Sequence, residues 1–402
     1  MASYSLYRAL AADDPDNVHL VAWISSQRAQ LHGPGAITRL RATSNEWLYH
    51  AEPASWLYQA SASRGSVYHE LVAFLVSLDP DVIHFHHFMG FGIDAIRLVR
   101  LALPRARIVL TIHEFLAICA NDGQMVTRPA GKLCESASPV RCSGCFPEVA
   151  RSQFALREIW FKHHLEFVDL IISPSQFLKS RYVAWGLDPA RIRVIENAQH
   201  CTTRHRPAAA DSGADLASTF AFFGQLNPYK GIDVLLDAAR HLRQRLRRAR
   251  SDLAPRVVLY GPMAGSEEFR AQLTEKIAAM DGVVEYRGAY EMNDVVDLMS
   301  GAGWIVVPST WWENSPVVIE EAFYAGRPVI CANIGGMKEK VTHDVNGLHF
   351  RARDPVDLSA IMERCLREPG LWSRLRGSVR EVPSLPASAT AHRACYGTPE
   401  NG

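Results

Sequence analysis

The chain has 402 residues, 48% of them apolar and 21% charged, with a net charge of +1. That length suggests about two domains, and a charge so near zero sets up no global field toward nucleic acid or a membrane. No apolar run reaches about eighteen residues, so no transmembrane helix is expected; the start, MASYSLYRALAADDPDNVHL, lacks the basic and apolar regions of a secretory leader, so the eight cysteines are expected as thiols or metal ligands.

Tyr4–Ala11 is predicted to be a short amphipathic helix and His19–Trp23 a strand. Residues 33–65 carry no clear period. Val67–Leu78 is predicted helical. Asp81–Phe88, DVIHFHHF, reads as a strand with His84 and His86 on one face and His87 on the other. Adjacent strand positions make a poor tridentate metal set, so these read as core or edge histidines. A helix over Phe91–Leu101 precedes a buried strand, Ile108–Ile112. That strand runs into His113-Glu114, a polar pair at a carboxyl end, where open α/β sheets place ligands. The alternative is a packed His113 and a helix-capping Glu114.

Next comes Cys119-x14-Cys134-x7-Cys142-x2-Cys145, four cysteines in one Gly-, Pro- and Ser-rich loop. Cys-x2-Cys is a normal half of a zinc site, and a metal staple would explain a long loop without structure of its own. Four protein ligands would make the role structural. Free thiols are the alternative, and iron–sulfur a weaker one.

Phe154–Val168 is predicted helical, Leu170–Ser175 a strand with its turn, Gln176–Trp185 a helix and Ile192–Glu196 a strand. Residues 201–215, CTTRHRPAAADSGAD, read as an interdomain linker. Strand Thr219–Phe223 leads into Gly224-Gln225-Leu226-Asn227-Pro228-Tyr229-Lys230-Gly231, then a helix from Val234. Its arginine-rich end, 240–250, reads as a solvated face, with an anionic membrane surface as the alternative. Strand Val257–Tyr260 ends at Gly261-Pro262, and strand Val283–Tyr286 at Arg287-Gly288. Asn293–Ser300 and Leu358–Leu366 are predicted helices. Residues 381–402 show no clear helix.

The rest is organised around Pro308–Gly336, PSTWWENSPVVIEEAFYAGRPVICANIGG. Trp304–Val307 is a buried strand. Ser315 reads as N-cap and Pro316 as the first residue of a helix running to about Ala325, with Gly326 in the left-handed position behind it. The N–H groups of Ser315 to Val318 and the helix dipole make an anion site without a basic side chain. Glu313 lies before it and Glu321 beyond it. A diphosphate could dock between them, with a sugar at one carboxylate and a ribose at the other. The alternative is a surface helix with two solvated glutamates.

Glu313-x7-Glu321, then Ala322-x2-Ala325-Gly326-x-Pro328-Val329-Ile330 and Gly335-Gly336-x2-Glu339, resembles the donor-site signature of family 4 retaining glycosyltransferases. The resemblance implies an α/β chain of GT-B fold, two Rossmann-like domains facing across a cleft: residues 1–205 on the acceptor side, 216–375 binding the nucleotide sugar, and an irregular tail over 376–402. In the family a strand and a glycine-rich loop precede the first helix, so the N-terminal domain is expected to lack its first strand.

The family resemblance also implies a reaction. It is retaining transfer of a hexosyl group from a UDP-, GDP- or ADP-sugar to a glycan, lipid-linked or small-molecule acceptor, with no catalytic cofactor. The setting would be surface polysaccharide or glycoconjugate synthesis, in the cytoplasm or peripherally at the inner membrane face. Glu313 would hold the sugar hydroxyls, Glu321 the ribose, and Lys230 the diphosphate with Asn314, Ser315, Pro316, Val317 and Val318. Gly224 and Gly261 would border the donor, Arg287-Gly288 the nucleobase, and His113 the sugar or acceptor. Gln225 stands where the family has an arginine and cannot supply its charge or its bidentate fork. That departure supports a rival: a weakened relative that binds nucleotide sugar without turning it over. An epimerase, a phosphorylase and a nucleic-acid module are further rivals. No second basic loop supports the phosphorylase, and the charge balance counts against the nucleic-acid module.

Overall fold

The computed structural model describes residues 2–25, 32–41, 44–60, 66–198, 214–280 and 282–397. The expected linker lies outside these residues except for 214 and 215. Two units are distinguished, Met1–Asn197 with Ser384–Gly402, and Ala198–Pro383.

The first unit contains α1 (Ala2–Ala11), β1 (Leu20–Ser25), β2 (Ile37–Arg39), β3 (Glu46–Ala51), α2 (Ser66–Leu78), β4 (Val82–Phe85), α3 (Asp94–Ala102), β5 (Arg107–Thr111), α4 (Pro139–Cys145), α5 (Arg151–Leu165), β6 (Leu170–Ser173), α6 (Gln176–Ala184) and β7 (Ile192–Val194). Its described strands form two sheets, β1-β3-β2 and β4-β5-β6-β7. The second is parallel throughout. Strand β6 is buried along its length, whereas β1 has no buried residue and β4 only Phe85. Both β1 and β4 are terminal strands of their sheets. Strands β2 and β3 gave no period in the sequence because β3 buries polar groups along with apolar ones. Glu46 receives Tyr4 Oη at 3.3 Å, and His50 Nε2 pairs with Thr38 Oγ1 at 2.9 Å.

The second unit contains α7 (Ala214–Ala217), β8 (Thr219–Phe223), α8 (Ile232–Arg248), β9 (Arg256–Tyr260), α9 (Glu267–Ala278), β10 (Val284–Gly288), α10 (Val295–Ser300), β11 (Trp304–Val307), α11 (Val317–Tyr324), β12 (Val329–Ala332), α12 (Gly335–Lys340), β13 (Gly347–Phe350), α13 (Pro355–Arg367) and α14 (Leu371–Gly377). Its six described strands form one parallel sheet in the order β10-β9-β8-β11-β12-β13. Strands β8, β11 and β12 are fully buried and, apart from Thr219, apolar, as covered parallel strands are. Helix α8 turns Leu235, Leu236, Ala239, Leu242 and Leu246 into the core, which puts its arginines outward. Each buried leucine contributes about 1.5–3 kcal/mol, and no apolar stripe is left over for a bilayer.

The expected irregular tail is corrected. Leu385–Tyr396 is a helix, α15, and it belongs to the first unit. Ser384 caps it, accepting from Ala387 N at 3.3 Å. Its buried face is Ser388, Ala389, His392 and Cys395. That spacing is helical, but the residues are small or polar, so no hydrophobic period announced it. Tyr396 Oη lies 2.8 Å from His84 Nδ1, and Arg393 pairs with Asp13 at 2.6 Å.

In the second unit the chain leaves β8 toward β9 and β10, and leaves β11 toward β12 and β13. The reversal lies between β8 and β11. Ligands of open α/β sheets bind at the carboxyl ends of strands flanking such a reversal. The segments that start there are Gly224–Gly231 and Pro308–Pro316.

Candidate functional site

Strand β8 ends at Phe223, and after Gly224 the chain makes a 3-10 turn over Pro228–Lys230. Asn227 caps that turn, its Oδ1 accepting from Lys230 N at 2.9 Å. Gly231 follows with φ 73°, and a Cβ there would sit 1.9 Å from the Pro308 carbonyl oxygen. Only glycine allows this approach. Thr310 N donates to Tyr229 O at 2.8 Å, zipping the loop after β8 to the loop after β11.

The junction brings Lys230 onto Glu313. One carboxylate oxygen, Oε1, accepts from Lys230 Nζ at 2.7 Å, Ser309 Oγ at 2.8 Å and Trp311 Nε1 at 2.9 Å. The other oxygen takes no hydrogen bond among the described residues. Burial opposes the charge of Glu313, but the Lys230 charge and the hydrogen bonds from Lys230, Trp311 and Ser309 outweigh it, so its pKa is lowered. At neutral pH Glu313 is an anchored carboxylate with one oxygen to offer. Its backbone is pinned too: Gly336 N donates to Glu313 O at 2.7 Å, and a Cβ on Gly336 would fall 1.8 Å from Asn314 O. Tyr229 and Trp311 stack with centroids 5.4 Å apart beside the ion pair.

The helix begins one residue later than expected. Pro316, not Ser315, is the N-cap of α11, and no side chain caps it. Proline has no N–H, so the amides at the helix start are those of Val317 and Val318, which have no intrahelical acceptor. Their side chains are half-buried, at the open end of the helix. Glu321 lies about 6 Å further along. It is only 8% exposed, its carboxylate has no hydrogen-bond or ion-pair partner among the described residues, and burial pushes its pKa up to about 7. Tyr290 is near enough that the Glu321 charge adds to burial in raising the phenol's pKa to about 12. The neighbouring Glu320 points the other way, into a core ion pair with Lys340 and Arg380.

The remaining expected donor residues fall at the same sheet edge. Gly261 N donates to Gly288 O at 2.7 Å, Gly224 N to Tyr260 O at 3.1 Å, and Tyr286 Oη to Gly261 O at 3.0 Å. Gln225 is exposed. Arg287 is exposed and turns to Glu285, Nε to Oε1 at 2.6 Å, so its backbone is what remains for a base. Sequence reasoning missed Ser309, Trp311 and Tyr290. The pair Trp311-Trp312 just before a loop glutamate was the available signal.

Two family models divide the chain: Glycosyltransferase Family 4 matches residues 4–201 and Glycosyl transferases group 1 matches residues 214–381. The chain belongs to the family 4 glycosyltransferases. D-inositol 3-phosphate glycosyltransferase of Frankia alni is 32% identical over 216 residues, 52% of this chain and 52% of that protein. The Streptomyces bingchenggensis protein of the same name is 29% identical over 201 residues, 48% and 43% of the two chains. The chain thus spans about half the length of the curated relatives it matches. Among solved structures, Alr3699/HepE of Anabaena with UDP-glucose covers 98% of this chain and 96% of its own, at TM-score 0.61 and 18% identity. Sucrose-phosphate synthase of Thermosynechococcus elongatus covers 98% and 91%, at TM-score 0.62 and 18% identity. These likenesses establish a GT-B fold of two Rossmann-like domains. Among the described residues, no helix is long and apolar enough to cross a membrane.

In the first unit of this family 4 chain, His113 follows β5 and belongs to a half-buried histidine array. His86 Nδ1 lies 3.4 Å from His113 Nε2, and the His84 and His86 rings are 4.1 Å apart. His84 Nε2 meets Thr111 Oγ1 at 2.7 Å. Strand β4 stops at Phe85, so His86 and His87 sit just past its end and not within it. Burial pushes His113 down to about 4, which keeps it neutral at pH 7, a hydrogen-bonding group and not a cation. Glu114 caps no helix. Its carboxylate accepts from Leu116 N and lies 3.3 Å from His87 Nε2, and burial raises it to about 8. Cys119, Cys134, Cys142 and Cys145 line one cavity of about 520 Å³. Among the described residues no three potential ligands already stand at metal-binding spacing.

Proposed function

We propose that the chain is a retaining glycosyltransferase that moves a hexosyl group from a nucleotide-diphosphate sugar. The observation that carries this reading is the anchored Glu313. Lys230 holds one oxygen, the other is unclaimed, and both lie beside the helix start at Val317. The diphosphate docks on the Val317 and Val318 amides and Lys230. Glu313 accepts from hydroxyls of the transferred sugar, and Glu321 from the ribose. Among the described residues no second carboxylate pairs with Glu313 as an acid–nucleophile pair would in a glycosidase. Transfer is therefore front-face: the bond from anomeric carbon to phosphate oxygen breaks, the acceptor oxygen bonds to that carbon from the same side, and the departing phosphate takes the acceptor's proton. His113, neutral at the end of β5, contacts the sugar or the acceptor. No metal takes part in the transfer. The acceptor is a glycan, lipid-linked or small molecule of surface-glycan synthesis, met in the cytoplasm or at the inner membrane face.

The relatives, a glycosyltransferase in one case and a protein solved with UDP-glucose in the other, support the substrate class. A thermal-shift screen of the whole chain against UDP-, GDP- and ADP-sugars tests it, because a bound donor raises Tm by mass action. One donor should stabilise the protein and then be hydrolysed or transferred. No shift with any of them would remove the proposal. Exposed Gln225 favours the rival reading, a binder that does not turn over. Donor stabilisation without hydrolysis or transfer in a panel of sugar acceptors would select it.

A further inference from the structure

The segment from Cys119 to Cys145 contains one short helix, α4, and a small core in which Phe146 and Phe154 meet Ala120. Its backbone nevertheless brings four thiols to one cavity. Cys142 and Cys145 lie one turn apart on α4. Cys134 follows the bridge Val126–Leu133, its N–H bonded to Met125 O at 2.8 Å. Cys119 closes a turn, donating to Phe115 O at 2.7 Å. None of the four is in a disulfide, all are half-buried, and Cys134 Sγ donates to Ser136 O at 3.4 Å.

Hydrogen-bond donors already address the sulfurs. Arg128 N donates to Cys145 Sγ at 3.4 Å, and backbone hydrogen bonds at Asn121 and Met125 meet Cys119. Arg128 and Arg141 stand in the cavity wall. Behind it Arg157 is spent on carbonyls, donating to Ala117 O at 2.6 Å and Leu57 O at 2.8 Å. Burial raises the thiols of Cys119, Cys134 and Cys142 above their ordinary value, and the amide donors and nearby arginines offset this only in part.

We propose that Cys119, Cys134, Cys142 and Cys145 form a structural tetrathiolate site for zinc. The sulfurs line the cavity without converging on one point. Rotation about each χ1 between staggered wells moves a thiol without moving the backbone, and it is the route by which four sulfurs reach the about 2.3 Å bonds of a zinc tetrahedron. Each ligand loses its proton to solvent on binding. With four protein ligands there is no open position, so the metal staples the segment and takes no part in transfer. This is independent of the donor site in the other unit, and the two stand or fall separately.

The test uses the full chain, purified with a reductant and without chelator. Elemental analysis should find one zinc per chain. Exchange with cobalt(II) should give a thiolate-to-cobalt charge-transfer band and the intense visible bands of a tetrahedral site. Cys142→Ser and Cys145→Ser should each lose the metal, while Cys365→Ser, in the other unit, keeps it. Because a cysteine variant can fail to fold, wild-type protein is also titrated with a mercurial while zinc release is read by a chromophoric chelator. Release should finish when four thiols have reacted, and the stripped protein should melt lower. Metal-free protein with four reactive thiols, a disulfide by mass spectrometry, a coloured iron cluster, or zinc retained by both serine variants would each overturn the proposal.

Discussion

Lys230 Nζ lies 2.7 Å from Glu313 Oε1, although 83 positions separate the two in sequence. The pair is made by two loops that leave neighbouring strands β8 and β11, and Ser309 and Trp311 aim at the same oxygen. Glu313→Gln removes the charge and leaves Lys230 without its partner while keeping the shape. With the donor found by thermal shift, kcat should fall by about 10²–10³-fold, with a smaller change in donor KM. Initial rates check this; a variant at wild-type kcat would take Glu313 out of the mechanism.

Glu321 gives donor binding a pH dependence. Its pKa is raised to about 7 by burial, whereas an unfolded glutamate titrates near 4.5. Between those values the folded chain holds a proton that the unfolded one has lost, so this group's contribution to stability falls as pH rises from about 4.5 to 7. Donor binding has the opposite sign, because the ionised carboxylate accepts from ribose hydroxyls better than the acid does. Affinity should rise through about pH 7 by calorimetry. Glu321→Gln should flatten that rise, weaken binding by about 10-fold (one charged hydrogen bond), and make the ligand-free protein more stable at pH 8.

The histidine array predicts acid lability of the first unit. His84 and His86 are held well below their ordinary value and His87 and His113 at about 4, all chiefly by burial. The unfolded chain takes up protons near 6.5 and the folded one does not, so stability is full above that value and is lost as pH falls toward 4. Glu114, raised to about 8, works in the other direction but is one group against four. A loss on the order of 1–3 kcal/mol between pH 7 and 4.5 is expected by urea denaturation, and His86→Asn should reduce the slope. A flat profile would mean that the array is open to water.

Gly336→Ala tests the backbone under the site. Its Cβ would meet Asn314 O at 1.8 Å, in a loop that Glu313 O also ties to Gly336 N. The loop must move, at about 1–3 kcal/mol of stability, and the Lys230–Glu313 geometry moves with it. Tm should fall modestly and donor hydrolysis or transfer should fall much further. Equal losses in stability and rate would point to general unfolding instead.

Gln225→Arg restores a cation at the carboxyl end of β8, where Gln225 is exposed and free to be replaced without repacking. If the diphosphate docks at Lys230 and α11, an added guanidinium should raise kcat by about 10-fold, with affinity less affected. No gain in rate would place Gln225 away from the departing phosphate.

Much of this protein could be read directly from residue order. The strand–loop–helix unit around Glu313 and Glu321 was legible because buried parallel strands are continuous apolar runs and helix ends carry Pro and Gly. So were β8 with its Lys230-Gly231 turn, and the four-cysteine spacing. What stayed hidden were elements whose buried faces are not apolar: β3 with Glu46 and His50, and α15 with Ser388 and His392. Their pattern is written in hydrogen bonds and small-residue packing, which have no hydrophobic period.

Tertiary structure alone decided the roles within the site. Sequence placed a lysine and two glutamates near helix and strand ends. It could not say that three donors would converge on one oxygen of Glu313, or that Glu320 would turn into a core ion pair while Glu321 takes no partner among the described residues. Local order sets which groups exist at a strand's end. Which of them meet depends on strand order in the sheet, here β8 beside β11, and that is fixed by packing across the whole unit.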